Sequence, residues 1–217
     1  MKLSESILEV YLVTDRRLAG ERDEAEIVLS ALRGGVRLVQ YREKELSTCQ
    51  QVEQARRLLC LTRQHGAFFL VNDRVDVALA VGADGVHLGQ EDLPLPIARR
   101  LLGRGKIIGV SVQSPEEARR AEAAGADYLG VGAIFSTSTK PDAGAIGLEG
   151  IRAIRSAVRL PLVAIGGINH ENAAQVIQAG ADGIAVVSAL VSTPDPQAAA
   201  TRLRTEVHRA KRGLGPC

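Results

Sequence analysis

"AFFLVNDRVDVALAVGADGVHLGQ" (residues 67–90) carries the pattern that decides how this chain folds. Its two ends, AFFLVND (67–73) and GVHLGQ (85–90), are short apolar runs. Continuous apolar runs of that length suit parallel strands covered on both faces. Between them lie a helix-like segment and then Gly82-Ala83-Asp84. Glycine at such a place can end a helix in the left-handed conformation, and a short turn then feeds the next strand.

The punctuation recurs. Gly-Ala-Asp stands again at 125–127 and 180–182, each time between a helical pattern and an apolar run. It reads as structural punctuation rather than ligand chemistry. Six further runs complete the series: VYLVTD (10–15), RLVQYREK (37–44), KIIGVSV (106–112), YLGVGAIF (128–135), PLVAIGGI (161–168) and GIAVVSAL (183–190). The intervening segments, such as EAEIVLSALRGG and CQQVEQARRLLCLTRQHG, place apolar residues at three- and four-residue spacing. Ser114-Pro115-Glu116-Glu117 is a helix start: a capping serine, proline at the first helical position and acidic residues in the first turn.

Eight such units predict an α/β fold, a (β/α)8 or TIM barrel, because right-handed crossovers wind a parallel sheet one way. A doubly wound open sheet is the alternative. With no linker pattern, residues 1–217 are expected to form one barrel domain, with RAKRG (209–213) a solvated helix end and a frayed tail after about residue 210. The longest irregular stretch, STSTKPDAGAIG (136–147), is long enough to be functional rather than merely connecting.

Composition narrows the partners. Hydrophobic residues make up 46% and charged residues 24%, with a net charge of +2, so no field for nucleic acid or membrane stands out. Aromatic residues are 3% and tryptophan is absent, which disfavours a base-stacking platform. No apolar run approaches the roughly 20 residues of a membrane span. The amino-terminal stretch MKLSESILEVYLVTD lacks the apolar core of a signal peptide. Cys49, Cys60 and Cys217 follow no metal spacing and read as reduced thiols, so a cytoplasmic protein is expected. Oligomerisation is possible but not readable from the sequence.

In a barrel of this kind the chemistry lies at the carboxyl ends of the strands. Gln40, Arg42 and Lys44 alternate, so an extended chain aims all three at one face, about 6.6 Å apart. Asn72 and Asp73 end the third run, and Asp92 lies just past the fourth. The fifth offers Ser111, and the stretch after the sixth carries Thr137, Thr139 and Lys140. The seventh ends in Gly166-Gly167 and the eighth gives Val187-Ser188.

Two cations beside two carboxylates could be a structural ion-pair cluster, although burying that much charge for stability alone is costly. The alternative is an anion with a metal. Asp73 and Asp92 are hard oxygen ligands suited to Mg²⁺, which completes its shell with water and phosphate oxygens. Arg42 and Lys44 would hold the remaining phosphate charge, and that much charge suits a diphosphate. Gly166-Gly167 lets backbone N–H groups approach a second anion beside Ser188, although a double glycine alone can be a mere tight turn. Two anionic ligands, one metal-assisted and one backbone-held, suit the joining of two phosphorylated substrates with diphosphate leaving.

At these residues the sequence resembles the thiamine-phosphate synthase family. The matching stretches are YLVTD, VQYREK, VNDRVDVALAVGADGVHLGQEDLP, GVS, STSTK, IGGI and VVSAL. The resemblance implies condensation of a hydroxymethylpyrimidine diphosphate with a thiazole phosphate, giving thiamine phosphate and diphosphate through a dissociative substitution. It implies that Gln40, Arg42, Lys44, Asn72, Ser111 and Lys140 contact the pyrimidine diphosphate, and that Asp73 and Asp92 ligate Mg²⁺. It implies also that Thr137, Thr139, Gly166, Gly167, Val187 and Ser188 hold the thiazole phosphate. Arg42, Lys44, Lys140 and Ser111 would carry the catalysis, with the 136–147 loop closing to exclude water.

One departure stands out: after GVS the family commonly has a small residue and then histidine, where this chain has Val112 and Gln113. His87 reads as a satisfied core or supporting histidine, and His65, His170 and His208 as solvent-facing. A thiazole tautomerase-like barrel and a non-catalytic barrel sensing phosphorylated ligands are the rival readings. Neither needs Asp73, Asp92, Arg42, Lys44 and Lys140 together. A phosphosugar isomerase would share the glycine-rich phosphate site but not that charged set.

Overall fold

The computed structural model describes residues 5–136 and 144–213. Its strands are β1 (Val10–Val13), β2 (Leu38–Tyr41), β3 (Phe68–Asn72), β4 (Gly85–Leu88), β5 (Ile107–Val112), β6 (Tyr128–Val131), β7 (Leu162–Ile165) and β8 (Gly183–Val186). All pair in parallel in chain order, and β8 returns to pair with β1, so the sheet closes. This is the barrel expected from the alternation, and closure removes the open-sheet alternative. Each strand is shorter than its apolar run. The β2 run reads to Lys44 whereas the ladder stops at Tyr41, because the last residues of each run leave the sheet to build the mouth.

The helices are α1 (Glu5–Leu8), α2 (Arg16–Ala19), α3 (Glu24–Arg33), α4 (Thr48–Gln64), α5 (Val75–Val81), α6 (Leu95–Leu102), α7 (Pro115–Ala123), α8 (Gly147–Ala157), α9 (Ala173–Gln178), α10 (Ser188–Val191) and α11 (Pro196–Gly213). Ser114 caps α7 by accepting from Glu117 N, as its sequence signature predicts. Ser47 and Gln50 form a reciprocal capping box on α4.

Two apolar layers result. Outward-facing strand residues such as Val39, Phe69, Val86, Leu129 and Ile184 pack against the helices. Inside the barrel, Leu8, Leu38, Leu70, Ile107 and Val163 close the amino-terminal end beneath Tyr11 and Tyr128. Burial of this area supplies the main stabilisation, at about 25 cal/mol per Å² of apolar surface.

The Gly-Ala-Asp turns do more than punctuate. Gly82, Gly125 and Gly180 have φ of 71°, 89° and 113°, a region that favours glycine. Each following aspartate reaches back one strand to accept a backbone N–H. Asp84 takes Phe69 N at 2.8 Å, Asp127 takes Ile108 N at 2.7 Å and Asp182 takes Leu162 N at 2.7 Å. Arg99 and Arg155 pair with the second and third of these carboxylates. The pairs β3–β4, β5–β6 and β7–β8 are thus clipped at the amino-terminal end, opposite the mouth.

Two of the histidines expected to face solvent, both partly exposed, also make contacts of their own. His208 Nε2 lies 2.6 Å from Glu9 Oε2 and ties α11 to the start of β1, and His65 Nδ1 meets the Leu61 carbonyl at 3.0 Å. No described helix is long and apolar enough to cross a membrane.

Candidate active site

Alternation along β2 turns Gln40 inward and Tyr41 outward, where Tyr41 stacks on Phe69 with ring centroids 6.4 Å apart. Past the strand, Arg42 and Lys44 continue the inward set, and all three line one cavity of about 500 Å³ at the barrel mouth. Around the same cavity stand Asn72 and Asp73 after β3, Asp92 beyond β4, Ser111 in β5, Gly166 and Gly167 after β7, and Val187 and Ser188 after β8. The strand-end reading therefore brings together every described residue it singled out. Thr137, Thr139 and Lys140 lie outside the described residues.

Each cation already has an acidic partner. Arg42 Nη1 donates to Asp15 Oδ2 at 2.9 Å, and its backbone N–H donates to Thr14 Oγ1. Lys44 Nζ pairs with Asp73 Oδ2. Sequence reading missed Asp15, although it ends the VYLVTD run and so met the same rule that selected the others. It caps α2 through Leu18 N as well, which fixes the carboxylate that holds Arg42 in place.

Asp73 has φ of 60°, and among the described residues it alone adopts positive φ without being glycine. Aspartate tolerates this conformation better than most side chains. Asp92 is anchored by accepting Gly89 N at 2.6 Å. Burial, and after it the contact with Asp73, pushes the Asp92 carboxyl above its ordinary range. Two carboxylates are thus pressed together with Lys44 as the nearby compensating charge, an arrangement that fits a divalent cation. Among the described residues no group of three or more His, Cys, Asp or Glu could hold a metal, so an ion here would take these two oxygen ligands and fill its shell with water and phosphate.

On the far wall Gly166 and Gly167 have φ of 104° and 65°. A Cβ on Gly166 would stand 2.7 Å from Ala133, and one on Gly167 2.8 Å from Phe135 Cβ, so glycine is needed for the close approach as well as the turn. Gln113 lines the cavity, with its backbone N–H donating to Glu117 Oε2 at 2.7 Å.

Below the mouth is a feature that a reading confined to strand ends passes over. Gln40, Tyr11, Tyr128, His87 and Ser111 are linked in series across the barrel interior. His87 is the supporting histidine expected from the sequence, 8% exposed and hydrogen-bonded through both ring nitrogens. Nothing in the sequence marked the tyrosines, since no residue selected on β1 or β6 showed which parity faces inward.

A closed parallel barrel whose strand ends gather two cations, two carboxylates and a glycine turn around one cavity belongs with barrels built for phosphorylated ligands. The comparisons make the family specific. The family model described as thiamine monophosphate synthase matches residues 10–190, and the chain belongs to this family. It is 57% identical over 204 residues to the thiamine-phosphate synthase of Moorella thermoacetica, covering 94% of this chain and 97% of the relative. It is 57% identical over 199 residues to that of Chloroflexus aurantiacus, covering 91% and 92%. The solved thiamine phosphate pyrophosphorylase from Pyrococcus furiosus superposes with a TM-score of 0.88 at 48% identity, covering 95% of this chain and 98% of that one. Thiamine-phosphate synthases are transferases acting on two small phosphorylated substrates, as the motif resemblance implied.

Proposed function

We propose that the cavity joins 4-amino-2-methyl-5-(diphosphooxymethyl)pyrimidine to 4-methyl-5-(2-phosphoethyl)thiazole, or its carboxylated form. The observation that carries this reading is one cavity with Arg42, Lys44, Asp73 and Asp92 on one wall and Gly166, Gly167 and Ser188 on the other. The charged wall suits a diphosphate and the glycine wall a monophosphate.

Arg42 and Lys44 bind the diphosphate, with Lys140 joining them from the 136–147 loop. Asp73 and Asp92 hold Mg²⁺, which supplies positive charge to the departing diphosphate. Gln40, Asn72 and Ser111 orient the pyrimidine ring. Thr137, Thr139, Gly166, Gly167, Val187 and Ser188 hold the thiazole phosphate. The bond between the pyrimidinyl methylene and the diphosphate oxygen breaks first, with its electron pair leaving on oxygen. The thiazole nitrogen then donates its lone pair to the methylene carbon, forming the new C–N bond. Negative charge grows on the leaving group, so pre-positioned cations lower the barrier and no general base is required. The exposed, unpaired Cys49 and Cys60 are in keeping with work in the cytoplasm.

Calorimetry tests the two-site reading. The pyrimidine diphosphate is expected to bind tightly only with Mg²⁺ present, and the thiazole phosphate to bind without it. Binding of the thiazole phosphate alone would favour a tautomerase-like or sensing barrel.

A further inference from the structure

The stretch between β1 and α3 is pinned at both ends. Asp15 caps α2 by accepting Leu18 N, and Asp23 caps α3 by accepting Ala25 N. Between them the Arg22 backbone N–H donates to the Ala19 carbonyl at 3.2 Å. Arg57 in α4 pairs with the Asp23 carboxylate. The backbone that delivers Arg22 is therefore fixed on either side.

From there the Arg22 guanidinium reaches a segment 169 and 171 residues further along the chain. Its Nη1 donates to the Thr193 carbonyl at 2.7 Å and its Nη2 to the Val191 carbonyl. Both oxygens stand at the end of α10, where a helix has carbonyls without intrahelical partners. The planar fork of arginine takes two acceptors at once in a fixed geometry, whereas a lysine ammonium is a single point donor.

The other end of α10 is at the cavity. The helix has only four residues, roughly 6 Å of length, and its first residue, Ser188, lines the cavity beside Val187. Val191 N donates to the Val187 carbonyl at 2.8 Å, and Ser192 N to the Ser188 carbonyl at 3.0 Å. One turn thus joins the two cavity residues to the carbonyls that Arg22 holds. Leu190 and Val191 bury their side chains and keep that turn on the core. Apolar contact is non-directional, so the orientation of the turn falls to the polar clamp.

We propose that Arg22 is a positioning residue for the monophosphate wall: by gripping the carboxyl end of α10 it sets where Val187 and Ser188 stand at the cavity. Arg22 is not itself among the residues lining that cavity. The inference rests on the assignment of Ser188 to the thiazole phosphate. The opposite wall is held separately, through Asp15 on Arg42, so a change at Arg22 reaches one subsite and spares the other.

Calorimetry on the wild type, Arg22→Ala and Arg22→Lys reads this selectivity. Arg22→Ala is expected to weaken the thiazole phosphate about ten-fold, the scale of losing a hydrogen bond from a charged group. Its affinity for the pyrimidine diphosphate with Mg²⁺ stays that of the wild type. Arg22→Lys, able to hold one carbonyl, recovers part of the loss. Equal weakening of both ligands would be general loosening and overturns the proposal. So does an unchanged thiazole phosphate affinity beside a lowered urea midpoint, which would make Arg22 a helix cap only. Should Arg22→Ala fail to fold, Arg22→Lys carries the same comparison with a smaller loss.

Amide hydrogen exchange gives a second readout that needs no ligand. The Val191 and Ser192 amides are expected to exchange faster in Arg22→Ala, and those of α7 at the wild-type rate. Unchanged exchange in α10 overturns the proposal. A wild type that binds no thiazole phosphate counts against the proposed function instead. Inorganic phosphate then becomes the probe, and an Arg22→Ala protein that holds it as the wild type does overturns the inference.

Discussion

Asp73 shows how one residue can be held by its backbone as well as its charge. With φ of 60° it occupies a conformation that asparagine also tolerates, so Asp73→Asn removes the charge while keeping the turn. The account expects Asp73→Asn and Asp92→Asn each to lower kcat by about 10²–10³-fold, the scale of losing one preorganised electrostatic contact. Steady-state rates of thiamine phosphate formation, beside unchanged circular dichroism, check this. Glu24 offers a pH prediction. Burial raises its carboxyl. The folded chain therefore holds that proton more tightly than the unfolded chain does. Its contribution favours folding below the unfolded-state value and is lost as pH rises through the raised one. Glu24→Gln carries no charge to bury, so in urea titrations its stability relative to wild type should improve as pH rises from about 4 through the raised value of the buried carboxyl. Period-two alternation made Gln40, Arg42 and Lys44 legible in the sequence. Tyr11 and Tyr128 were not, because attention to strand ends leaves out the layer below, where their hydroxyls meet only after the barrel closes.

At the scale of elements, apolar runs and glycine turns located every strand. Their ends were less legible, since a residue leaving the ladder for the mouth, such as Arg42, keeps the alternating pattern of the strand before it. The three Gly-Ala-Asp turns were recognised as punctuation. The aspartates' acceptor role was hidden because each partner lies at the start of the preceding strand, 15 to 20 residues earlier. Asp127 accepts Ile108 N and pairs with Arg99. Asp127→Ala leaves that N–H without its acceptor and should cost about 1–3 kcal/mol, read as a lower urea midpoint at unchanged slope. Because the clip lies at the end opposite the mouth, substrate KM values should change little at temperatures where the variant stays folded.

For the whole molecule, closure turns a linear list of strand ends into a ring around one cavity. That step makes the charged residues of β2 to β4 neighbours and sets them across from the glycines after β7. The sequence permitted this inference because consecutive parallel strands adjoin in a barrel. The rival barrels would need only part of the ring: a tautomerase-like or sensing protein requires the glycine wall but no pair of metal carboxylates. The most direct test is therefore thiamine phosphate formation from the two phosphorylated precursors, with Mg²⁺ and with excess chelator. The account predicts Mg²⁺-dependent product with an equal amount of diphosphate released. No product in the presence of Mg²⁺, despite tight binding of the thiazole phosphate, would contradict it.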